Sequence, residues 1–182
     1  MPKIVALKED WIKLGFKLFS EKGESGLIVD KMSDKLACNR SSFYWHFKSK
    51  KAFIKEIVNY WVESDTNQII ALTENRGDPS EKFKALVKLT FRKDPDMDFV
   101  FYLKRYAIKN PDIQTIIDKV DQRRMDYVKD IFFQMGHGEH AEPMAKAFYK
   151  YLIGHHEMIR YKSQSRNYHE EVLKELKEFI HY

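Results

Sequence analysis

The stretch SSFYWHFKSKKAF, from Ser41 to Phe53, places the densest aromatic cluster of the chain directly against its densest cationic cluster. Four rings occupy five positions, and three lysines follow them: Phe43, Tyr44, Trp45, Phe47, Lys48, Lys50 and Lys51. A protein core disfavours lysines, and a solvated surface disfavours large rings. The stretch therefore predicts a segment whose rings are divided between a core and a ligand that also attracts positive charge.

The excess positive charge of the chain is concentrated in the same region. Residues 1–51 contain 11 Lys and Arg and 6 Asp and Glu, a net charge of +5, whereas residues 52–182 contain 21 of each kind. This segregation indicates a module that faces a polyanion, joined to an electrically neutral body. Charges scattered over a solvated face are the alternative interpretation.

Composition limits the class of protein. With 182 residues, of which 43% are apolar, the chain has enough material for one sizeable core or two small ones. Its longest apolar run, Phe99 to Leu103, is too short to cross a bilayer, and early acidic residues argue against a secretory signal. Cys38 is the single cysteine, which excludes an intrachain disulfide. We therefore expect a cytoplasmic protein.

Apolar residues recur with helical period along most of the chain, and no alternation typical of strands is present. A first helix should end near Gly23, a second should contain Val29 and Leu36, and a third should begin at Arg40 after Asn39. Further helices are predicted at about 48–75, 79–92, 97–109, 112–135, 141–162 and 168–181. The sequence thus predicts an all-α fold of about nine helices. Residues 1–50 should form a helix-turn-helix domain, and residues 51–182 a helical body for ligand binding and dimerisation.

The third helix has two chemically different faces. At about 100° per residue, Phe43 and Phe47 fall on one side, with Ser41 and Trp45 opposite them. Ser42 and Tyr44 flank that polar side. A helix-turn-helix lays its second helix in the DNA major groove, where hydroxyl and indole groups and nearby lysines such as Lys48 and Lys50 meet the phosphate backbone. The alternative is that Tyr44, Trp45 and His46 are packing residues.

The segment from about Ala6 to Trp61, above all SSFYWHFKSKKAFIKEIV, resembles the DNA-binding domain of the TetR family of transcriptional regulators. A stretch in the second half, YLKRYAIKNPDIQTIIDKVDQRRMDYVKDIFFQMG, also resembles a C-terminal pattern found in part of that family. The resemblance implies a homodimer in which each N-terminal domain reads half of a pseudo-palindromic operator. It also implies a C-terminal helical body with a small-molecule pocket and the dimer interface.

The resemblance also suggests roles for single residues. Tyr44 and His46 match positions that touch phosphates, and Lys50 matches a lysine that approaches the DNA backbone. The positions that match groove-facing, base-reading residues of the family are Arg40, Ser41, Ser42 and Trp45. An arginine can pair with guanine O6 and N7.

Three positions depart from the family pattern. Ile28 stands where a Ser or Thr usually caps the second helix, and Ala37 replaces the more usual glycine of the turn. Asp30 suits the N-terminal end of a helix but would repel a phosphate, so we do not assign DNA contacts to the second helix.

The C-terminal body is rich in aromatic residues, which by default form its core. The resemblance makes Trp61, Tyr102, Tyr106 and His155 candidates for the lining of a ligand pocket. Two apolar stripes on the last two helices predict a four-helix dimer interface, formed by Phe148, Leu152, Ile159, Val172, Leu176 and Phe179. The alternative is that these stripes close the core of the monomer.

No motif in the chain predicts catalysis. The sequence HGEH, residues 137–140, lacks the helical spacing of a zinc motif, and the adjacent His155 and His156 should point to different faces. DQRR, residues 121–124, is predicted to be a solvated face. We therefore expect no enzyme, no metal and no cofactor. The partners we expect are double-stranded DNA, a small-molecule effector and a second copy of the chain, with no membrane.

Three classes of function remain open at this point. They are a ligand-responsive DNA-binding regulator, a helical dimeric scaffold that binds a protein partner, and a small hydrolase-like helical enzyme. We predict the first, as a repressor that binds a pseudo-palindromic operator as a homodimer and releases it when a small molecule binds. Salt-sensitive binding to duplex DNA separates it from the scaffold.

Overall fold

The computed structural model describes residues 6–92, 98–159 and 167–180, and none of these residues forms a strand. The predicted all-α fold is confirmed. Its α-helices, in chain order, are α1 Lys8–Lys22, α2 Val29–Lys35, α3 Arg40–Phe47, α4 Lys50–Trp61, α5 Gln68–Glu74, α6 Pro79–Thr90, α7 Asp98–Ala107, α8 Pro111–Phe132, α9 Ala141–Ile159 and α10 Tyr168–Ile180. Among the described helices, none is sufficiently long and apolar to cross a membrane.

The long helix predicted at 48–75 is interrupted. It begins with α4, passes through a π-helical segment at Val62–Asn67 and continues as α5. The π-helical segment holds the buried hydroxyl-bearing side chain of Thr66. Such wide turns inside helices occur mostly as single-turn bulges and are frequent at functional sites. Periodicity alone does not show them, because the apolar spacing changes by only one residue.

The contacts within the chain group it into two units. The first comprises Met1–Glu63 and Pro95–Ile117, and the second comprises Ser64–Asp94 and Asp118–Tyr182. The first unit thus contains the whole helix-turn-helix together with α7, which packs against α1. The proposed division after residue 50 concerns the DNA-reading module and stays a prediction.

The first unit has an aromatic core. Phe43 of α3 packs edge-on against Trp11 of α1 and Phe53 of α4, with ring centroids 5.3 and 5.1 Å apart. α1 ends at Gly23, whose φ of +62° is left-handed. A Cβ atom there would lie 2.7 Å from the ring of Tyr102, so the close approach of α7 also requires glycine.

The second unit encloses its own core, in which Phe83, Phe132 and Phe148 pack together. Four of the side chains predicted for a dimer interface are buried in that core: Phe148, Leu152, Val172 and Leu176. The apolar stripes therefore close the core of one chain, as the alternative interpretation held, and the assignment of these four side chains to a partner is corrected. The side chains of Ile159 and Phe179, the other two, lie outside the described part of the structure.

Candidate nucleic-acid interface

Helix α3 separates its rings in the way that the helical wheel predicts. Phe43 and Phe47 are buried, whereas 77% of Trp45 and 44% of Tyr44 are exposed. A tryptophan with so large an exposed fraction is unusual, because moving a large ring out of water lowers the free energy. The packing alternative is wrong for Trp45, and the exposed rings form a surface that a ligand can cover.

The serines of α3 differ in their surroundings. Ser41 is exposed, whereas the half-buried Ser42 accepts a hydrogen bond from the indole Nε1 of Trp11 at 3.4 Å. That contact links the polar side of α3 to the core residue Trp11 of α1. The indole of Trp11 therefore helps to position Ser42, whose hydroxyl oxygen has a partner before any ligand binds.

The backbone at both ends of α3 is constrained. Ala37, in the turn before the helix, has a left-handed φ of +50°, and Lys48, after the helix, has a φ of +60°. This conformation is costly for residues with a Cβ atom. Asn39 occupies the N-cap position, but its side chain makes no capping hydrogen bond. The hydroxyl of Ser49 caps α4 by accepting a hydrogen bond from the Ala52 amide at 3.1 Å.

Arg40, at the start of α3, has two partners. Its Nη1 lies 3.4 Å from Oδ1 of Asp30 on α2, and its Nη2 donates to the hydroxyl of Tyr44 at 3.4 Å. The guanidinium carbon is also 5.6 Å from the centroid of the Tyr44 ring. The hydrogen bond to Tyr44, followed by the charge of Asp30, raises the pKa of Arg40 above its usual value.

The residues predicted to touch phosphates surround this face. His46 places Nε2 at 3.0 Å from the carbonyl oxygen of Ala6, so its ring also secures the chain before α1. Lys50 lies 3.8 Å from Glu24, an ion pair that a phosphate can replace, and Lys48 is exposed. The DNA contacts of these side chains remain predictions.

Helix α2 lacks the side-chain cap that is usual in the resembled family. Ile28 is its N-cap residue, makes no capping hydrogen bond and is 42% exposed. An apolar side chain at this position leaves amide donors of the first turn without a side-chain acceptor. The departure noted in the sequence is therefore present in the structure.

The residues predicted to line a ligand pocket lie in different units. Trp61 is buried against Phe99, and Tyr102 and Tyr106 are half-buried, all within the first unit. Burial raises the pKa of Tyr106. His155 belongs to the second unit, where its Nε2 is 2.6 Å from the Tyr168 hydroxyl and burial lowers its pKa.

A cavity of about 360 Å³ lies elsewhere in the second unit, between the end of α8 and the start of α9. It is lined by Lys129, Phe133 and Glu142, among others, and by none of the four predicted pocket residues. The pocket assignment of these four residues stays a prediction.

A polar network in the second unit was missed in the sequence. Arg124 donates to Asp65 at 2.7 Å and to the buried hydroxyl of Thr66 at 2.7 and 3.0 Å. Asp121 accepts a hydrogen bond from Tyr149 at 2.7 Å, and burial raises the pKa of that phenol. The prediction that DQRR is a solvated face is wrong for its first and last residues, because α8 turns them towards other helices.

Across the described ranges, 6–92, 98–159 and 167–180, no three His, Cys, Asp or Glu side chains are close enough together to hold a metal ion.

Two short helices joined by a tight turn, backed by α1, with an exposed polar and aromatic face on the second, define a helix-turn-helix DNA-binding domain. Residues 12–57 match the family model of bacterial regulatory proteins of the tetR family. For these residues the match confirms the resemblance seen in the sequence.

Curated relatives are also transcriptional regulators. The chain is 27% identical over 118 residues to the uncharacterised HTH-type transcriptional regulator YerO of Bacillus subtilis, covering 62% of this chain and 41% of that protein. It is 28% identical over 103 residues to the biofilm operon icaADBC negative transcriptional regulator IcaR of Staphylococcus aureus, covering 57% and 50%. The chain thus spans about half the length of the curated relatives it matches.

Solved structures share the fold over nearly the whole chain. A protein from Saccharomonospora viridis, in complex with choline, has a TM-score of 0.82 at 15% identity and covers 96% of this chain and 95% of its own. AibR, in complex with isovaleryl coenzyme A and operator DNA, has a TM-score of 0.71 at 15% identity and covers 95% and 97%. At these identities the likeness concerns the fold alone.

Proposed function

We propose that this chain is a ligand-responsive transcriptional regulator that represses its target by binding a pseudo-palindromic operator as a homodimer. The observation that carries the proposal is the exposed face of α3, where Arg40, Tyr44 and Trp45 stand over the buried Phe43 and Phe47. Aromatic and hydrogen-bonding groups with nearby lysines suit a DNA backbone and groove. The curated relative IcaR is a negative regulator, which favours repression.

The proposed effector is a small molecule bound by the helical body. Structures of the same fold were determined with choline and with isovaleryl coenzyme A. Because coupling between two binding sites is reciprocal, an effector that weakens operator binding must itself bind less tightly to the DNA-bound protein, by the same factor. A pocket ligand that binds the free and DNA-bound forms equally would refute the switch and leave DNA binding intact.

The proposed dimer would let the regulator read both half-sites of a pseudo-palindromic operator. The helix-turn-helix domains of the two copies must lie about 34–36 Å apart to enter successive major grooves. Because four of the predicted interface side chains are internal, we propose a dimer surface on the outer side of α9, where Ile153 and Met158 remain exposed. Sedimentation should show a dimer at micromolar protein, and Met158→Asp should shift it towards monomer. A monomer independent of concentration would contradict this part of the proposal.

The central test begins with the selection of bound duplexes from a random DNA pool, which yields the operator and its half-site spacing. Arg40→Ala should then weaken operator binding by about 1–3 kcal/mol and relax preference at one base pair per half-site. Lys50→Ala should weaken operator and scrambled DNA alike and reduce the salt slope by about one unit.

The same isotherms separate the regulator from the scaffold. If both variants lose the same affinity on both DNAs, neither residue reads sequence. If the wild-type protein shows no salt-sensitive binding to any duplex, the proposal of a DNA-binding regulator fails, and a scaffold for a protein partner becomes the better description.

A further inference from the structure

An acidic side chain lies beside the surface that the proposed function assigns to DNA. Asp30, in the first turn of α2, exposes 68% of its side chain, and its Oδ1 lies 3.4 Å from the Arg40 guanidinium. A free carboxylate beside the phosphate backbone opposes binding of any DNA. Its presence next to a predicted base-reading arginine therefore requires a specific explanation.

The partners of Arg40 hold its guanidinium from two helices. Asp30 of α2 meets Nη1, and the hydroxyl of Tyr44, one turn further along α3, meets Nη2 at 3.4 Å. The Tyr44 ring also lies beneath the guanidinium, 5.6 Å from its central carbon. A charge, a hydroxyl and a ring face thus restrict a side chain that would otherwise sample many rotamers.

These contacts leave Arg40 able to read a base. A guanidinium carries five N–H donors, of which one on each terminal nitrogen is used here. Three N–H groups remain, one on Nε and one on each terminal nitrogen, and a contact with guanine O6 and N7 would draw on these. Orientation by Asp30 and recognition of a base are therefore compatible on the same side chain.

We propose that Asp30 is a positioning residue that orients Arg40 towards one base pair of each half-site and so sets the specificity of the regulator. This inference rests on the proposed function. In the free protein the ion pair is exposed and contributes little to stability. When DNA covers the surface, water leaves and the effective dielectric constant falls, so the orienting effect of the carboxylate grows.

The test compares Asp30→Asn with Asp34→Asn, which removes the same charge from the same helix at a carboxylate that lies in no described ion pair. Affinities are measured for the selected operator and for a duplex changed at the base pair that Arg40→Ala identifies. The ratio of the two affinities reports specificity, and thermal unfolding checks that the variants remain folded.

We expect Asp30→Asn to lower the affinity ratio by about 2-fold to 5-fold while it tightens binding to the changed duplex, because one repulsive charge is lost. Asp34→Asn should tighten both complexes by a similar factor and leave the ratio unchanged. In an Arg40→Ala background, Asp30→Asn should no longer change the ratio, since the residue it positions is gone.

Three results would overturn the inference. An equal change on both duplexes would make Asp30 a simple repulsive charge, and a higher ratio would show that Asp30 restrains Arg40 from reaching DNA. If Arg40→Ala relaxes the preference at no base pair of the selected operator, Arg40 reads no base and Asp30 positions nothing. In each case the wild-type protein still discriminates between duplexes, so the proposed function survives. If the wild-type protein does not discriminate between any duplexes, both the inference about Asp30 and the proposed function fail.

Discussion

The two units of the chain differ in the exposure of some of their ion pairs. In the first unit, the ion pairs of Lys8 with Glu56, Arg40 with Asp30 and Lys50 with Glu24 all lie at the exposed surface. In the second unit, Arg124 and Lys82 retain only 19% and 11% of their side-chain exposure within their ion pairs.

Residues 1–51, which carry the excess positive charge, belong to the first unit. Exposed ion pairs are weak and exchange easily for other partners, so the cations of the first unit remain available to phosphates. In the second unit, Arg124 and Lys82 are instead held by partly buried ion pairs with groups of the same unit. Burial raises the pKa of Tyr127 to about 12, although its hydrogen bond to Thr73 acts in the opposite direction. The first unit thus keeps exposed cations around the helix-turn-helix, and the second unit contains polar networks of its own.

The largest expected effect tests whether α3 separates support from recognition. Phe43→Ala should lower the free energy of unfolding by about 3–5 kcal/mol, because it empties a site enclosed by Trp11 and Phe53. Trp45→Ala, in the exposed face, should change stability by less than about 0.5 kcal/mol and weaken DNA binding instead. Denaturant unfolding measures stability, and binding isotherms measure DNA affinity. A large loss of stability in Trp45→Ala would contradict the separation of support from recognition.

The next effect contrasts a partly buried with an exposed ion pair. Arg124→Met should destabilise the protein by about 2–3 kcal/mol, because Asp65 and the buried hydroxyl of Thr66 lose a charged donor. Lys8→Met, whose pair with Glu56 is exposed, should cost less than about 1 kcal/mol. Equal costs in urea unfolding would remove the distinction between the units.

A smaller effect concerns the cap of α2. Ile28→Thr should stabilise the protein by about 0.5–1 kcal/mol, because a hydroxyl accepts a hydrogen bond from the first turn. Ile28→Ala removes apolar contacts without adding a cap, so a comparison of the two variants tests for the capping hydrogen bond. If the Tm of Ile28→Thr is no higher than that of Ile28→Ala, the amide donors in the first turn of α2 already have other hydrogen-bond acceptors.

The smallest effect concerns the turn between α2 and α3. Ala37→Gly should remove the strain of the left-handed backbone at φ +50°. Glycine loses more conformational entropy on folding, so the net stabilisation should be only about 0.5 kcal/mol. Ala37→Val should destabilise it, because a β-branched residue fits this conformation poorly. Stabilisation by valine in the same unfolding assay would contradict the conformation of the turn.

Local patterns in the sequence predicted the helix-turn-helix because its features repeat within one or two turns. The burial of Phe43 and Phe47 and the exposure of Trp45 follow from 100° per residue alone. The stripe on α10 was also recognised as apolar, but its partner was not, since Val172 and Leu176 pack as well against one chain as against a second. Periodicity identifies a buried face without showing what covers it.

By itself the sequence determined the all-α class, the place of the reading helix and the segregation of charge, because each depends on residues close together in the chain. Only the tertiary structure decided that Arg124 reaches Asp65 and Thr66, 59 and 58 positions earlier, and that Asp30 stands beside Arg40. Such pairs form where helices cross, and the crossing is set by the packing of whole helix faces rather than by any local pattern.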